Sequence, residues 1–234
     1  MNAMRVLCAA EMQACDRVTT ERFGVASVDL MRTAAGVVAE FAREAFPRAR
    51  RVMVLCGRGN NGGDGMMTAR LLAAAGLDVT TLLLGVPEKL GPDVVTAWGE
   101  LLASAKPGTV HVIEKAVDLA AHREALRADL IVDAVVGTGF KPPLKGLAVA
   151  ALEWLKGSEA PVLAVDLPSG WAADSTAAAA GGPVFAADAV ITFTAPKPAH
   201  LFGQLTRGWD QPVVVAPIGS PEEAVVSDLG LRWA

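Results

Sequence analysis

The 234-residue sequence predicts an α/β fold, a three-layer αβα sandwich built on a mainly parallel sheet. Three observations carry that prediction. Short strand-like runs alternate with helical stretches from residue 51 to residue 166, the pattern that places helices on both faces of a parallel sheet. The first run, Arg51 to Cys56, is apolar and β-branched without polar alternation, as a strand buried on both faces should be. A glycine-rich loop then joins it directly to a helix.

Residues 9–22 and 28–46 read as two N-terminal helices, the second stopped by Pro47. Strands are expected at 51–56, 78–84, 110–113, 129–133 and 161–166, with helices between them at 62–75, 92–105, 116–127 and 145–156. Two further strands are expected at 188–193 and 212–216. The stretch from Met66 to Ala75 lacks Gly and Pro, and Gly76 ends it. Residues 177–183, four alanines followed by Gly-Gly-Pro, read as a mobile surface loop. Nothing resembles a linker or an internal repeat, and the length admits one large α/β domain or two small ones.

The loop G-R-G-N-N-G-G-D-G, residues 57–65, carries five glycines in nine residues. That many glycines cost conformational entropy, so the backbone must need them. The simplest need is close approach of a charged ligand to free N–H groups at a helix N-terminus, which suits phosphate. Gly57-x-Gly59-x-x-Gly62 satisfies the dinucleotide fingerprint, but the next strand closes on Gly85-Val86 with no ribose-binding acid. No Gly-Lys-Ser/Thr follows, which excludes a Walker loop. Asn60, Asn61 and Asp64 add side-chain oxygens that suit a hard cation or a polar substrate.

Parallel strands bring their C-terminal ends to one edge, so Cys56, Asp133 and Asp166 should converge with the glycine loop. Pro168-Ser169-Gly170 turns the chain just beyond Asp166 and brings the Ser169 hydroxyl to that edge. A serine nucleophile would need a base, and His111, His122 and His200 form no triad-like motif. Cys56 reads as a small core residue rather than a catalytic thiol.

The apolar fraction of 52%, with 20% charged residues, suits a globular chain with ample core. A net charge of −4 argues against a nucleic-acid surface, so phosphate binding must come from local geometry. No run approaches the length of a membrane span, and Glu11, Asp16 and Arg17 break any signal-peptide pattern. Three cysteines without CxxC spacing fit reduced thiols in a cytoplasmic protein.

The glycine loop resembles the signature of the NAD(P)H-hydrate epimerases, the YjeF N-terminal-domain family. The resemblance continues through Ala10-Glu11-Met12, Leu30-Met31 to Gly36, residues 133–139 (D-A-V-V-G-T-G), residues 165–170 (V-D-L-P-S-G), Thr192-Phe193 and Pro196-Lys197. It implies one Rossmann-like domain over residues 1–234 without a dehydratase domain, so repair of the S form would require a separate protein. It also implies interconversion of the R and S forms of hydrated NADH or NADPH. Asn60, Asn61, Gly62, Gly63 and Asp64 would contact substrate, and Gly137, Thr138, Gly139, Phe140, Lys141, Pro142 and Pro143 would hold its phosphates. Asn61, Asp133 and Ser169 would supply side-chain ligands to a structural potassium ion.

In the implied reaction the ring nitrogen expels the protonated C6 hydroxyl as water, and water re-adds from either face of the planar iminium. One carboxyl group can give and take the proton. Asp166 is the candidate, with Lys141 second as its electrostatic partner or as a phosphate contact. His200 and Lys141-Pro142-Pro143 depart from the small residues and sparser prolines expected of the family. Alanine- and methionine-rich N-terminal helices, including Met12, Met31, Ala34 and Ala35, suggest a homodimer. The same fold also serves scaffolds and binding proteins, but such a protein need not keep Asn61, Asp133, Asp166 and Ser169 together.

Overall fold

Seven strands form one all-parallel sheet in the computed structural model, which describes residues 4–208, 210–226 and 232–233. In chain order the elements are β1 (Met4–Arg5), α1 (Ala9–Phe23), α2 (Ser27–Ala45), β2 (Arg51–Cys56), α3 (Asn60–Ala74) and β3 (Asp78–Leu84). There follow α4 (Pro92–Ser104), β4 (Val110–Ile113), β5 (Leu130–Ala134), α5 (Leu147–Leu155), β6 (Val162–Val165) and β7 (Ala189–Phe193). The last are α6 (Pro198–Phe202), β8 (Val213–Ala216) and β9 (Arg232–Trp233). The sheet order is β4-β3-β2-β5-β6-β7-β8, so the chain works outward in one direction from β2 and then in the other from β5.

Period two explains the layers. Val52, Val54 and Cys56 of β2 pack on one face with α2, α3 and α4, while Met53 and Leu55 pack on the other with α5. The three-layer expectation therefore holds. The glycines of the loop are structural as well: a Cβ at Gly62 would lie 1.9 Å from the carbonyl oxygen of Gly57. Only glycine lets α3 begin this close to the strand before it.

Two local expectations change. The 116–127 stretch is not an α-helix but 3-10 turns interrupted at His122, whose φ of −110° and ψ of 24° break the helix. Asp118 there accepts the amides of Glu114 and Lys115, which tightens the turn. Met12, Met31, Ala34 and Ala35 are buried inside the chain itself, so they offer no free face to a second copy. The 177–183 loop lies at the surface without helix or strand. Among the described residues, no helix is long and apolar enough to cross a membrane.

Candidate active site

The strand order reverses between β2 and β5, and a crevice opens at their C-terminal ends, where such sheets bind ligands. A cavity of about 1010 Å³ lies there, large enough for a dinucleotide. Its wall runs from Leu84, Gly85 and Glu114, after β3 and β4, to Asp166, Phe193 and Lys197 at β6 and β7. Residues of α1 (Met12, Gln13 and Asp16) close it from above the sheet edge.

Asp166 follows β6 directly with φ 67°, a left-handed conformation that Asp tolerates better than most side-chained residues. Its amide donates to Ile191 O at 2.7 Å and its carbonyl pairs with His200 Nε2 at 2.8 Å, which fixes the turn. Both carboxylate oxygens are saturated. Oδ2 accepts the amide and hydroxyl of Thr138, each at 2.6 Å. Oδ1 accepts Thr192 Oγ1 at 2.8 Å and Lys197 Nζ at 3.0 Å. Burial alone would raise this carboxyl, but the Lys197 charge and the Thr138 donors outweigh it and hold the group well below the usual carboxylate range. Asp166 is therefore an anion.

Lys197 is equally committed. It is 1% exposed, and Nζ donates to Asp166, to Thr192 Oγ1 at 2.7 Å and to Phe193 O at 3.3 Å, three acceptors for three protons. Its backbone amide donates to His200 Nδ1 at 3.0 Å, which leaves the His200 proton on Nε2 and pointed at the Asp166 carbonyl. Burial, and then the Lys197 charge, lower the His200 pKa to about 4 and keep the ring neutral.

Asp64 contrasts with Asp166. It stands just past the first turn of α3, 9% exposed, lines the cavity, and forms no hydrogen bond or ion pair with the described residues. Burial, then the charges of Asp166 and Asp16, raise its pKa well above the ordinary value. Asp16 is accessible to the cavity yet walled by protein, and this enclosure lifts it to about 6. The N-cap Gly59 supplies no side chain to α3, so the amides of its first turn remain available to an anion.

Gly137 joins the two halves of the site: a Cβ there would lie 2.6 Å from Asp166 Oδ2 and 3.1 Å from the Asn61 amide carbon. Asn60, Asn61, Asp64, Gly137, Thr138, Gly139, Phe140, Lys141, Pro143 and Asp166 all line the cavity. Gly62, Gly63 and Pro142 do not belong to its wall. Asp133 and Ser169 lie fully buried beneath it. Asp133 Oδ1 accepts Ser169 Oγ at 2.6 Å, its Oδ2 accepts the Ser169 amide at 2.8 Å, and Ser169 Oγ accepts the Val136 amide at 3.0 Å. The hydroxyl proton is thus committed to Asp133. Burial raises Asp133 to about 6 against these hydrogen bonds, and among the described residues no cationic side chain forms an ion pair with it. Cys56 is a core residue whose thiol burial pushes up.

The chain as a whole is similar to known proteins. Residues 27–199 match the family described as YjeF-related protein N-terminus. The chain belongs to this family. It is 37% identical over 224 residues to the NAD(P)H-hydrate epimerase of Rhodobacter capsulatus, covering 92% of this chain and 98% of that one. It is 36% identical to the bifunctional NAD(P)H-hydrate repair enzyme Nnr of Salinibacter ruber, where the match covers 82% of this chain but 36% of that longer protein. The crystal structure of yeast ynu0 superimposes with a TM-score of 0.76 at 25% identity, over 91% of this chain and 88% of that one.

The cation paired with Asp166 is Lys197, not Lys141, which lines the cavity without an ion pair among the described residues. Sequence reading had Lys197 only as part of the Pro196-Lys197 resemblance and found no role for His200. A lysine and a histidine three apart after a strand carry no signal by themselves; the Pro at 198 that starts α6 is the one local hint.

Proposed function

We propose that the chain interconverts the R and S epimers of hydrated NADH and NADPH, the first step in repairing these damaged cofactors. The observation that carries this reading is one cavity with two carboxyl groups in opposite surroundings: Asp166 accepts four donors that favour its anion, while Asp64 has no hydrogen-bond partner among the described residues and is pushed by burial toward its protonated form. Environments that push two carboxyls apart in this way mark an acid and an anion, as in the lysozyme pair. The relatives named as epimerases support the same activity.

The chemistry follows. Asp64 gives its proton to the C6 hydroxyl as the C–O bond breaks and water leaves, and the ring nitrogen lone pair becomes the C=N bond of a cationic iminium. Asp166, kept anionic by Lys197, stabilises that cation. Water then adds to C6 from the opposite face, the nitrogen recovers its lone pair, and the proton that the added water gives up returns to the Asp64 carboxylate, by way of the released water. The α3 first-turn amides and the 137–143 loop hold the phosphates. In this reading Asp64 carries the proton that Asp166 was expected to carry, and Asp166 stabilises charge instead.

A potassium ion fits the floor of the site. Both polar atoms of the Asn61 side chain are buried without a partner among the described residues, and Asp133 and Ser169 add only hard oxygens. Asn61, Asp133 and Ser169 would hold the ion, and its charge would offset Asp133 and steady the two loops. The longer bifunctional relatives support pairing with a hydrate-dehydrating activity.

The test is chromatographic: purified R hydrate is followed toward the R/S mixture against an enzyme-free control. Asp64→Asn should slow turnover by about 10²–10⁴-fold with little change in affinity, the range for a lost general acid. No acceleration by the wild-type chain would sink the reading, and near-normal turnover in Asp64→Asn would return the proton to Asp166.

A further inference from the structure

The cavity is longer than the reaction needs. Four strand spacings separate β4 from β6, about 19 Å at the usual spacing, and the wall extends over all of them. With the nicotinamide at Asp166 after β6, and phosphates at the β5 and β2 loops, the adenosine half is carried toward the ends of β3 and β4. This orientation rests on the epimerase reading. In dinucleotide folds the end of the strand next to the glycine loop carries an acid for the ribose 2′-hydroxyl, or an Arg nearby for a 2′-phosphate.

Here that position holds a cation. The Arg58 side chain crosses the end of β3 over Gly85: a Cβ on Gly85 would lie 2.5 Å from Arg58 Cδ and 3.2 Å from Nε. Gly85 also has φ +138°, so a side chain there is excluded twice over. Lys89, in the short turn Pro87–Lys89 that follows, lines the same wall. Neither Arg58 nor Lys89 forms an ion pair with the described residues, and both are exposed. Glu114, after β4, is an acidic group of this end of the cavity. Lys141 and Lys145 stand on the phosphate loop side instead.

We propose that Arg58 and Lys89 bind the 2′-phosphate of a phosphorylated dinucleotide, so that the chain prefers hydrated NADPH to hydrated NADH. A guanidinium matches two phosphate oxygens at once, and an unphosphorylated ribose leaves both cations without their partner.

The experiment measures affinities for NADP⁺ and NAD⁺ by calorimetry at fixed ionic strength, in the wild type and in Arg58→Ala, Lys89→Ala and Arg58→Lys. The NADP⁺/NAD⁺ ratio should be about tenfold or more in the wild type, from the worth of charged hydrogen bonds. It should collapse toward unity in Arg58→Ala, fall less in Lys89→Ala and recover in part in Arg58→Lys. Ratios of kcat/KM for the two R hydrates should follow. Equal wild-type affinities overturn the proposal. So does a parallel loss of NAD⁺ and NADP⁺ binding in Arg58→Ala, which would place the arginine on the shared pyrophosphate. A retained NADP⁺ preference without epimerase activity would support this inference while removing the epimerase reading.

Discussion

Asp133 and Asp166 hold similar places: each sits at the C-terminal end of a central parallel strand, each is buried, and each faces the turn that follows. Their surroundings set them apart. Asp166 has an ammonium at 3.0 Å from a residue 31 positions away, and stays ionised. Asp133 has only neutral donors from Ser169 and Val135, and burial lifts it to about 6. Position along a strand determines where a carboxylate points. A partner from a distant element determines whether it carries charge.

The largest test of that contrast removes the ammonium. Lys197→Met should destabilise the fold by about 3–5 kcal/mol, because it strands a buried carboxylate. Each kcal/mol should lower Tm by about 2–4 °C in a chain of this size. Adding Asp166→Asn should restore much of the stability but not the turnover. An additive double mutant would mean that the two groups act independently.

Asp133 gives the second test, with a sign opposite to ordinary acid denaturation. Its folded pKa of about 6 exceeds the ordinary 3.8, so its contribution is complete below 3.8 and is lost as pH rises through 6. In tetramethylammonium buffer the wild type should therefore lose stability between about pH 4 and 7. Potassium should oppose the loss, and the gap in Tm between the two buffers should widen with pH. Asp133→Asn should abolish the widening. A potassium effect that ignores pH would detach the ion from Asp133.

His200→Ala should have the smallest effect, about 1–3 kcal/mol for the buried groups it leaves unpaired. Its neutral ring, with pKa lowered to about 4, contributes stability above its ordinary 6.5 that is lost as pH falls through 4. The variant should lack that acid-side loss in a denaturant titration. Turnover should fall with stability restored by low temperature if the ring also fixes the Asp166 turn; unchanged turnover would limit it to packing.

The legible parts of the chain were those written locally. The loop at 57–65 and the unbroken apolar strands state the sheet, the crevice and most of the cavity wall, because glycine clustering and hydrophobic runs are local properties. Thr138 fell inside a stretch assigned to phosphate, yet its bond to Asp166 depends on how the β5 loop crosses to β6. Lys197 and His200 were hidden for the same reason. Residues 116–127 have helical composition but are broken at His122, and Asp118 bonds back to the amides of Glu114 and Lys115 that precede them. The pairing of β1 with β9 was missed because two-residue strands have no period to read.

That pairing bears on how the chain can be rearranged. Met4 lies opposite Trp233 and Arg5 opposite Arg232, antiparallel, while the Arg5 guanidinium reaches Glu222 O and Val225 O. Strands paired in this way sit about 5 Å apart, a gap that a few linking residues close. Joining them and reopening the chain in the exposed 177–183 loop would give a circular permutant with the sheet order intact. Its new ends would flank Pro183 and Val184, which pack on Gly170 just past Ser169. A reporter attached there would sense the floor of the catalytic cavity from the outside of the molecule.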